Sequence, residues 1–336
     1  MSIIERQKIS EFQSIIEGKQ NVAIFTHTNP DGDAIGSALA MQIFLRRRNI
    51  ASKIIIGSEL PDSLRWMPGS EDIVAFPKIK AVQAFLASAD LVVCLDFNEP
   101  SRTDYLAKVL EETTLPVLVV DHHPQVHNYN GLLIGDIRMS STAELLFWLL
   151  KLSDNLPRTA VFATCIYTGI VTDTGSFSYN SSNPSTYRAM AELLEMGFDK
   201  DLVTGHIFQQ FSLSRMQLLG HMLAHQMVLM PKQGASYTYL SRSDLEKYNH
   251  KPGDNEGFVN YPLSIIGVNF TAFFVEQEKY VKISFRSKGS FAANEFSKRF
   301  FNGGGHRNAA GGRSYDSLDD TLKRFEKLVK EHYHEF

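Results

Sequence analysis

His27, Asp31 and Asp33 follow directly on the apolar run Val22 to Phe25 in the stretch VAIFTHTNPDGDAIGS. Asp96 closes a second apolar run, DLVVCLD, and Asp121, His122 and His123 close a third, PVLVVDHH. Asp173 ends an apolar helical segment, AVFATCIYTGIVTD. Carboxylates and imidazoles are ligands for divalent cations, and the absence of cysteine from the set disfavours zinc-finger chemistry. Taken alone, the first stretch fits two readings. Asn-Pro-Asp-Gly-Asp is good turn chemistry with Asp33 capping the next helix, and it is equally a group of ligands. Taken together, the groups tell against simple caps, because on one sheet edge they would repel one another unless cations neutralised them. Carboxylate and imidazole donors suit Mn²⁺, Mg²⁺ or Fe²⁺, with Zn²⁺ and Co²⁺ as alternatives. Six ligands exceed the needs of one ion that must leave room for substrate. Two ions about 3.5–4 Å apart with a bridging aspartate would accommodate them, the arrangement used for phosphoester hydrolysis, with bound water brought to a pKa of about 7.

Groups so far apart in sequence need a sheet to collect them. Strand candidates fall at 22–25, 53–56, 90–95 and 117–120, with a weaker one at 132–134. Between and after them helical patterns run over 34–45, 79–88, 102–112, 142–152 and 158–172, and a surface helix over 3–18 precedes them. Apolar strands alternating with helices predict an α/β domain with a doubly wound, mainly parallel sheet, whose ligands lie outside the carboxyl ends of the strands. From 185 to 230 the pattern is helical without strands. His221 and His225 stand four apart there, a spacing that can bind metal, but no carboxylate or cysteine is arranged near them and a helical connector is the better account. A second, smaller α/β region has strand candidates at 237–240, 267–275 and 280–286, a helix at 290–301, a glycine cluster at 303–312 and a closing helix at 317–333. The expected division is a catalytic domain at 1–190, a helical linker at 191–232 and a substrate-binding domain at 233–336.

A length of 336 residues favours two domains, and a 43% apolar fraction supplies two cores. The net charge of −3 argues against coating long nucleic acid. No apolar run approaches the roughly 18 residues of a membrane span, and the opening MSIIERQKISEF lacks the features of a signal peptide. Cys94 and Cys165 lie in apolar segments and read as reduced, buried side chains. The expected compartment is the cytoplasm, with no membrane partner.

One local charge departs from the acidic total. Between Tyr280 and Arg313 stand Lys282, Arg286, Lys288, Lys298, Arg299, Arg307 and Arg313, with Glu295 alone against them. Arg286 falls at a strand end, while Lys282, Lys288 and Lys298 read as solvated. Gly303, Gly304 and Gly305 would let backbone N–H groups approach a phosphate, with His306 beside them. A local anion site of this kind fits a small phosphorylated substrate rather than a long duplex, since affinity for the latter grows with the number of phosphates neutralised.

The segments HTNPDGDAIGS, LDFN, DHHP and GIVTDTGSF resemble, in order and spacing, the four motifs of the DHH phosphoesterase superfamily. GGGHRNAAGG resembles the signature of the DHH-associated C-terminal domain. The pairing is most similar to the bifunctional oligoribonuclease and pAp phosphatase (nanoRNase) group, and covers nearly the whole chain. The resemblance implies one metal on His27, Asp31 and Asp96, and a second on Asp33, Asp96, His122 and Asp173, with Mn²⁺ expected and Mg²⁺ or Co²⁺ as alternatives. It implies that Asp121 orients an imidazole, that His123 lies beside the scissile phosphate, and that Arg286 with Gly304, Gly305 and His306 holds the terminal nucleotide or its phosphate. The activities implied are hydrolysis of very short RNA to 5′-mononucleotides and removal of the 3′-phosphate of pAp, by a homodimer. Two alternatives stay open: a phosphodiesterase of cyclic or linear dinucleotides, and a nucleotide sensor that has lost catalysis.

Overall fold

The computed structural model describes residues 4–124 and 131–335. The chain divides into two compact units, Met1–Gln210 and Phe211–Phe336.

The first unit is built on six strands: β1 (Asn21–Thr26), β2 (Ala51–Ile56), β3 (Val74–Ala75), β4 (Leu91–Leu95), β5 (Val117–Asp121) and β6 (Gly131–Gly135). They lie in the order β3-β2-β1-β4-β5-β6, and every neighbouring pair is parallel. Its helices are α1 (Arg6–Ile16), α2 (Gly32–Arg47), α3 (Ile79–Leu86), α4 (Ala107–Glu111), α5 (Thr142–Leu152), α6 (Ala160–Asp173), α7 (Pro184–Glu195) and α8 (Lys200–Phe208). Strand alternation feeds two cores. Val22 and Ile24 of β1 pack with residues of α1, α2, α5 and α6, while Ala23 and Phe25 pack on the opposite face with α3 and α4. The sheet is thus covered on both sides, as a doubly wound α/β fold requires. The strand order reverses between β1 and β4, which opens a crevice at their carboxyl ends.

Two helices approach closely behind that crevice. A Cβ on Gly36 of α2 would come 2.4 Å from the Cys165 carbonyl oxygen of α6, so only glycine lets the backbones meet.

The second unit carries β7 (Met227–Met230), β8 (Ala235–Leu240), β9 (Phe270–Glu276), β10 (Val281–Ser287), β11 (Gly304–His306) and β12 (Ala309–Ser314). Their order is β11-β12-β10-β9-β8-β7, antiparallel except for the β8–β9 pair. Helices α9 (Leu213–His225) and α10 (Arg242–Lys247) precede α11 (Ala293–Phe300) and α12 (Leu318–His332). One face packs Phe270, Phe274 and Phe285 against Phe296 of α11 and Phe325 of α12; the other packs Phe273 and Val275 against Leu218 and Met222 of α9.

Two details differ from the sequence expectations. The stretch 191–232 is shared between the units, with α8 in the first and α9 in the second, and its last residues form strand β7. Met227–Met230 pairs with Ala235–Thr238 through a short connection, so a four-residue apolar run that reads as a helix extension becomes an edge strand. The glycine cluster is a β-hairpin, β11–β12, rather than an open loop. Among the described residues, no helix is long and apolar enough to cross a membrane. Cys94 and Cys165 are free and buried.

Candidate metal centre

The carboxyl ends of β1, β4 and β5 place His27, Asp96 and the Asp121-His122-His123 triplet side by side. Helix α2 begins at the same edge with Asp31 as its N-cap, its Oδ1 accepting from the N–H groups of Asp33 and Ala34 at 3.0 Å. The turn reading of this stretch is borne out by that cap, and the same turn carries the three side chains to the edge where the site reading needs them. Asp33 follows in the first turn of α2, and α6 ends in Asp173.

Two of the groups of ligand atoms that result gather the expected metal ligands. Within each, one atom per residue lies within 4.8 Å of the others: His27, Asp31 and Asp96 form the first, and Asp33, His122 and Asp173 the second. Asp96 faces both. Its Oδ2 is 3.2 Å from His27 Nε2, and its Oδ1 is 3.8 Å from His122 Nε2. His122 Nε2 also lies 3.3 Å from Asp173 Oδ2 and 4.0 Å from Asp33 Oδ2. Asp96 adopts a left-handed backbone at φ 65°, an uncommon conformation for a non-glycine residue, just where the chain leaves β4.

The two imidazoles are oriented alike. Nδ1 of His27 donates to the Thr28 carbonyl at 3.0 Å, and Nδ1 of His122 to the Met139 carbonyl at 3.3 Å. Each ring thereby turns Nε2 toward the carboxylates, the tautomer a metal requires. His27 Nε2 is buried and has no hydrogen-bond partner among the described residues, despite Asp96 beside it. A buried lone-pair atom left so among carboxylates is what a cation would complete, and the residues present fit one.

The electrostatics agree. Burial raises the Asp33 carboxyl well above the ordinary carboxylate range, and the charges of Asp96 and Asp173 add to it. For Asp96 burial acts upward too, but the neighbouring imidazoles of His27, His123 and His122 outweigh it and hold the group low. Burial lowers His27, yet Asp96 and Asp31 raise it on balance. Asp33 and His27 thus hold their protons more tightly than free groups do, while Asp96 stays ionised.

Asp121 pairs with His123 rather than His122. Its Oδ1 accepts from His123 Nδ1 at 2.7 Å and from the His123 N–H at 3.2 Å, and its Oδ2 accepts from Asn98 Nδ2 at 2.6 Å. Arg102 completes this side, with Nη1 3.4 Å from His123 Nε2 and 3.4 Å from the Asp96 carbonyl oxygen. Sequence reasoning passed over Asn98 and Arg102, although both follow Asp96 by a few residues; it also passed over Thr142, whose hydroxyl donates to Asp96 Oδ1 at 2.9 Å.

In the second unit, Arg286, Ala309 and His306 stand in register across β10, β12 and β11. Paired residues share a face, so the guanidinium and the imidazole flank a small alanine. Lys282 and Ser284 alternate onto the same face as Arg286, opposite the buried Val281, Ile283 and Phe285. The glycines have packing reasons of their own: a Cβ on Gly303 would meet the Gly311 carbonyl oxygen at 1.9 Å and Ser297 Oγ at 2.2 Å. Several of the cations are engaged locally. Arg299 pairs with Glu335, Arg307 Nη2 donates to the Ser290 carbonyl at 2.6 Å, and Lys288 donates to that of Leu263.

Comparison with known proteins gives the same division. Residues 21–170 match the DHH family, N-terminal domain, and residues 234–331 match the DHHA1 domain. The bifunctional oligoribonuclease and PAP phosphatase NrnA of Thermus thermophilus is 30% identical, across 96% of this chain and 93% of its own. The protein of the same name from Bacillus subtilis is 26% identical across 93% and 95%. The crystal structure of an exopolyphosphatase-related protein from Bacteroides fragilis superposes with a TM-score of 0.92 at 35% identity, over 99% of this chain and 98% of the other. The chain belongs to the DHH family of phosphoesterases, with a DHH domain followed by a DHHA1 domain.

Proposed function

We propose that the protein is a divalent-metal-dependent phosphoesterase that hydrolyses very short oligoribonucleotides to 5′-mononucleotides and removes the 3′-phosphate of pAp. The observation that carries this reading is the meeting of two ligand groups at Asp96, in a chain with near-full-length relatives named for those two activities. His27, Asp31 and Asp96 would hold one ion, and Asp33, Asp96, His122 and Asp173 the other. Mn²⁺ is the preferred ion, with Mg²⁺ and Co²⁺ as substitutes, because oxygen and imidazole donors suit them. When bound, such a pair supplies Lewis-acid charge to the phosphate and a water of lowered pKa for in-line attack.

The chain's own residues bind, orient and move protons. His27 and His122 keep Nε2 inward through their carbonyl-bound Nδ1. His123, fixed by Asp121 and flanked by Arg102, binds a phosphate oxygen or delivers a proton to the leaving oxygen. Arg286 and His306, with the backbone of Gly304 and Gly305 on the edge strand β11, recognise the terminal nucleotide or its phosphate. The chemistry thus belongs to the first unit and selection of the phosphate to the second. The enzyme acts in the cytoplasm as a homodimer, without a long-duplex or membrane partner.

A substrate panel tests the reading. With Mn²⁺, kcat/KM for pAp and for RNAs of a few nucleotides should exceed that for a 24-mer and for cyclic dinucleotides. Tight pAp binding without phosphate release would make the protein a sensor, and a preference for cyclic dinucleotides would reassign the substrate.

A further inference from the structure

The ligands come from the ends of β1, β4 and β5, the start of α2 and the end of α6, yet three of them are tied to one segment that follows β6. In that segment, the Thr142 N–H donates to Asp33 Oδ2 at 2.7 Å and the Ala143 N–H to Asp33 Oδ1 at 2.8 Å. The Thr142 hydroxyl donates to Asp96 Oδ1, and the Met139 carbonyl accepts from His122. One stretch of five residues, 139–143, therefore touches the carboxylate facing both ligand groups and two members of the second.

The Thr142 hydroxyl has no competing local task. Ser141 already caps α5, its Oγ accepting from the Glu144 N–H at 3.0 Å. Threonines deeper in a helix turn their hydroxyls back to the carbonyl four residues earlier, as Thr164, Thr168 and Thr172 do in α6. Thr142 opens its helix, and its hydroxyl goes to Asp96.

The segment itself is pinned from behind. Glu144 is fully buried and pairs with no Lys or Arg among the described residues. Its carboxylate instead accepts from the Ser140 N–H and hydroxyl at 3.0 and 2.7 Å, from Ser185 at 2.6 Å, from Thr186 at 2.8 Å and from Trp148 Nε1 at 3.3 Å. Those donors join the start of α5 to the start of α7. A buried carboxylate is costly unless satisfied in this way, and here the satisfaction fixes the loop that carries Thr142.

We propose that Thr142 is a positioning residue of the metal centre, setting the Asp96 carboxylate between the two ligand groups, with Glu144 holding the segment in place. The proposal rests on the metal-site reading above and concerns how that site is built. Groups behind metal ligands typically change metal affinity about 10- to 100-fold when removed.

The test is calorimetric titration of the metal-stripped full chain with Mn²⁺, on wild type, Thr142→Val and Thr142→Ser. Valine matches the shape and deletes the donor; serine keeps it. Thr142→Val should bind at least one Mn²⁺ about 10- to 100-fold more weakly, while the metal-free protein still melts cooperatively at a modestly lower temperature, and Thr142→Ser should restore binding. Wild-type Mn²⁺ affinity in Thr142→Val, or failure of serine to restore it, would overturn the proposal. Glu144→Gln should weaken Mn²⁺ binding in the same direction; a folded Glu144→Gln with wild-type affinity would remove Glu144 from the account. Wild type that binds no Mn²⁺ sinks both this inference and the metal-site reading, whereas wild type that binds two ions and hydrolyses nothing sinks only the enzymatic one.

Discussion

Replacing Asp96 by asparagine should separate the stability of the fold from the function of the centre. Asp96 is buried, with Oδ1 2.9 Å from the Thr142 hydroxyl and Oδ2 3.2 Å from His27 Nε2. An asparagine in the same rotamer keeps the acceptor for Thr142 and offers an N–H to the orphaned His27 Nε2. One hydrogen bond of that kind is worth about 0.5–1.5 kcal/mol net. The backbone at φ 65° is one that asparagine adopts readily. The change also removes a charge that raises Asp33, at the cost of the attraction between Asp96 and its imidazoles. The metal-free Asp96→Asn protein should therefore melt at or slightly above the wild-type temperature, with roughly 2–4 °C per kcal/mol expected at this size. Asp96→Ala should behave differently. It leaves the Thr142 hydroxyl without its acceptor, roughly 1–3 kcal/mol, gives the orphaned His27 Nε2 no new donor, and places alanine in the left-handed region at about 1–2 kcal/mol more. Both variants should lose activity. A neutral amide cannot serve as a shared anionic ligand, and losing several kcal/mol of charge stabilisation corresponds to roughly 10³-fold or more in rate. Melting curves in EDTA and Mn²⁺-dependent pAp hydrolysis measure the two effects. Asp96→Asn with kcat/KM near wild type would refute the shared-ligand assignment, and an Asp96→Asn as unstable as Asp96→Ala would refute the hydrogen-bond reasoning.

Three further outcomes follow from the geometry. Gly169→Ala puts a Cβ 2.5 Å from that of Ala143 and 2.7 Å from Asp33 Oδ1, so overpacking of about 1–3 kcal/mol should exceed the roughly 1 kcal/mol gain in helix propensity. Chemical denaturation should show lower stability together with weaker Mn²⁺ binding; unchanged values of both would contradict the packing. Arg286→Ala should raise KM roughly 10- to 100-fold, the equivalent of about 1.5–3 kcal/mol for a charge-assisted hydrogen bond, and leave kcat nearly unchanged; a fall in kcat alone would place Arg286 elsewhere in the mechanism. In the metal-free protein the Asp33 and His27 pKa values are raised, so the native state holds protons that the unfolded chain has released, and this contribution to stability is lost as pH rises through the raised values. Mn²⁺ must displace those protons, so its affinity should increase with pH, and calorimetry in buffers of different ionisation enthalpy should detect proton release. Binding without proton release would contradict the electrostatic picture.

Much of the catalytic unit was legible because its site sits at strand ends. Val22 to Phe25, DLVVCLD and PVLVVDHH are apolar runs that stop at the polar groups in question, and the runs are long enough to read as buried strands. The parallel order then brings the ends together. What stayed hidden depends on tertiary approach. Thr142 reads in sequence as cap chemistry after Ser140 and Ser141, and its hydrogen bond to Asp96 spans 46 residues. Glu144 reads as an ordinary first-turn acid, and only the arrival of α7 makes it a buried acceptor. The glycine cluster reads as a phosphate loop, whereas Gly303 is required by the contact with Ser297 and Gly311 in a hairpin. Strand β7 was hidden because four apolar residues after a helix carry no period that distinguishes strand from helix.

The central claim is that Asp96 joins two metal ions. Anomalous scattering from crystals of the full chain grown with Mn²⁺, recorded at the manganese edge, tests it most directly. The account predicts two peaks about 3.5–4 Å apart, both within ligand distance of the Asp96 carboxylate, one beside His27 and Asp31 and the other beside Asp33, His122 and Asp173. A single peak, or two peaks of which only one touches Asp96, would contradict it.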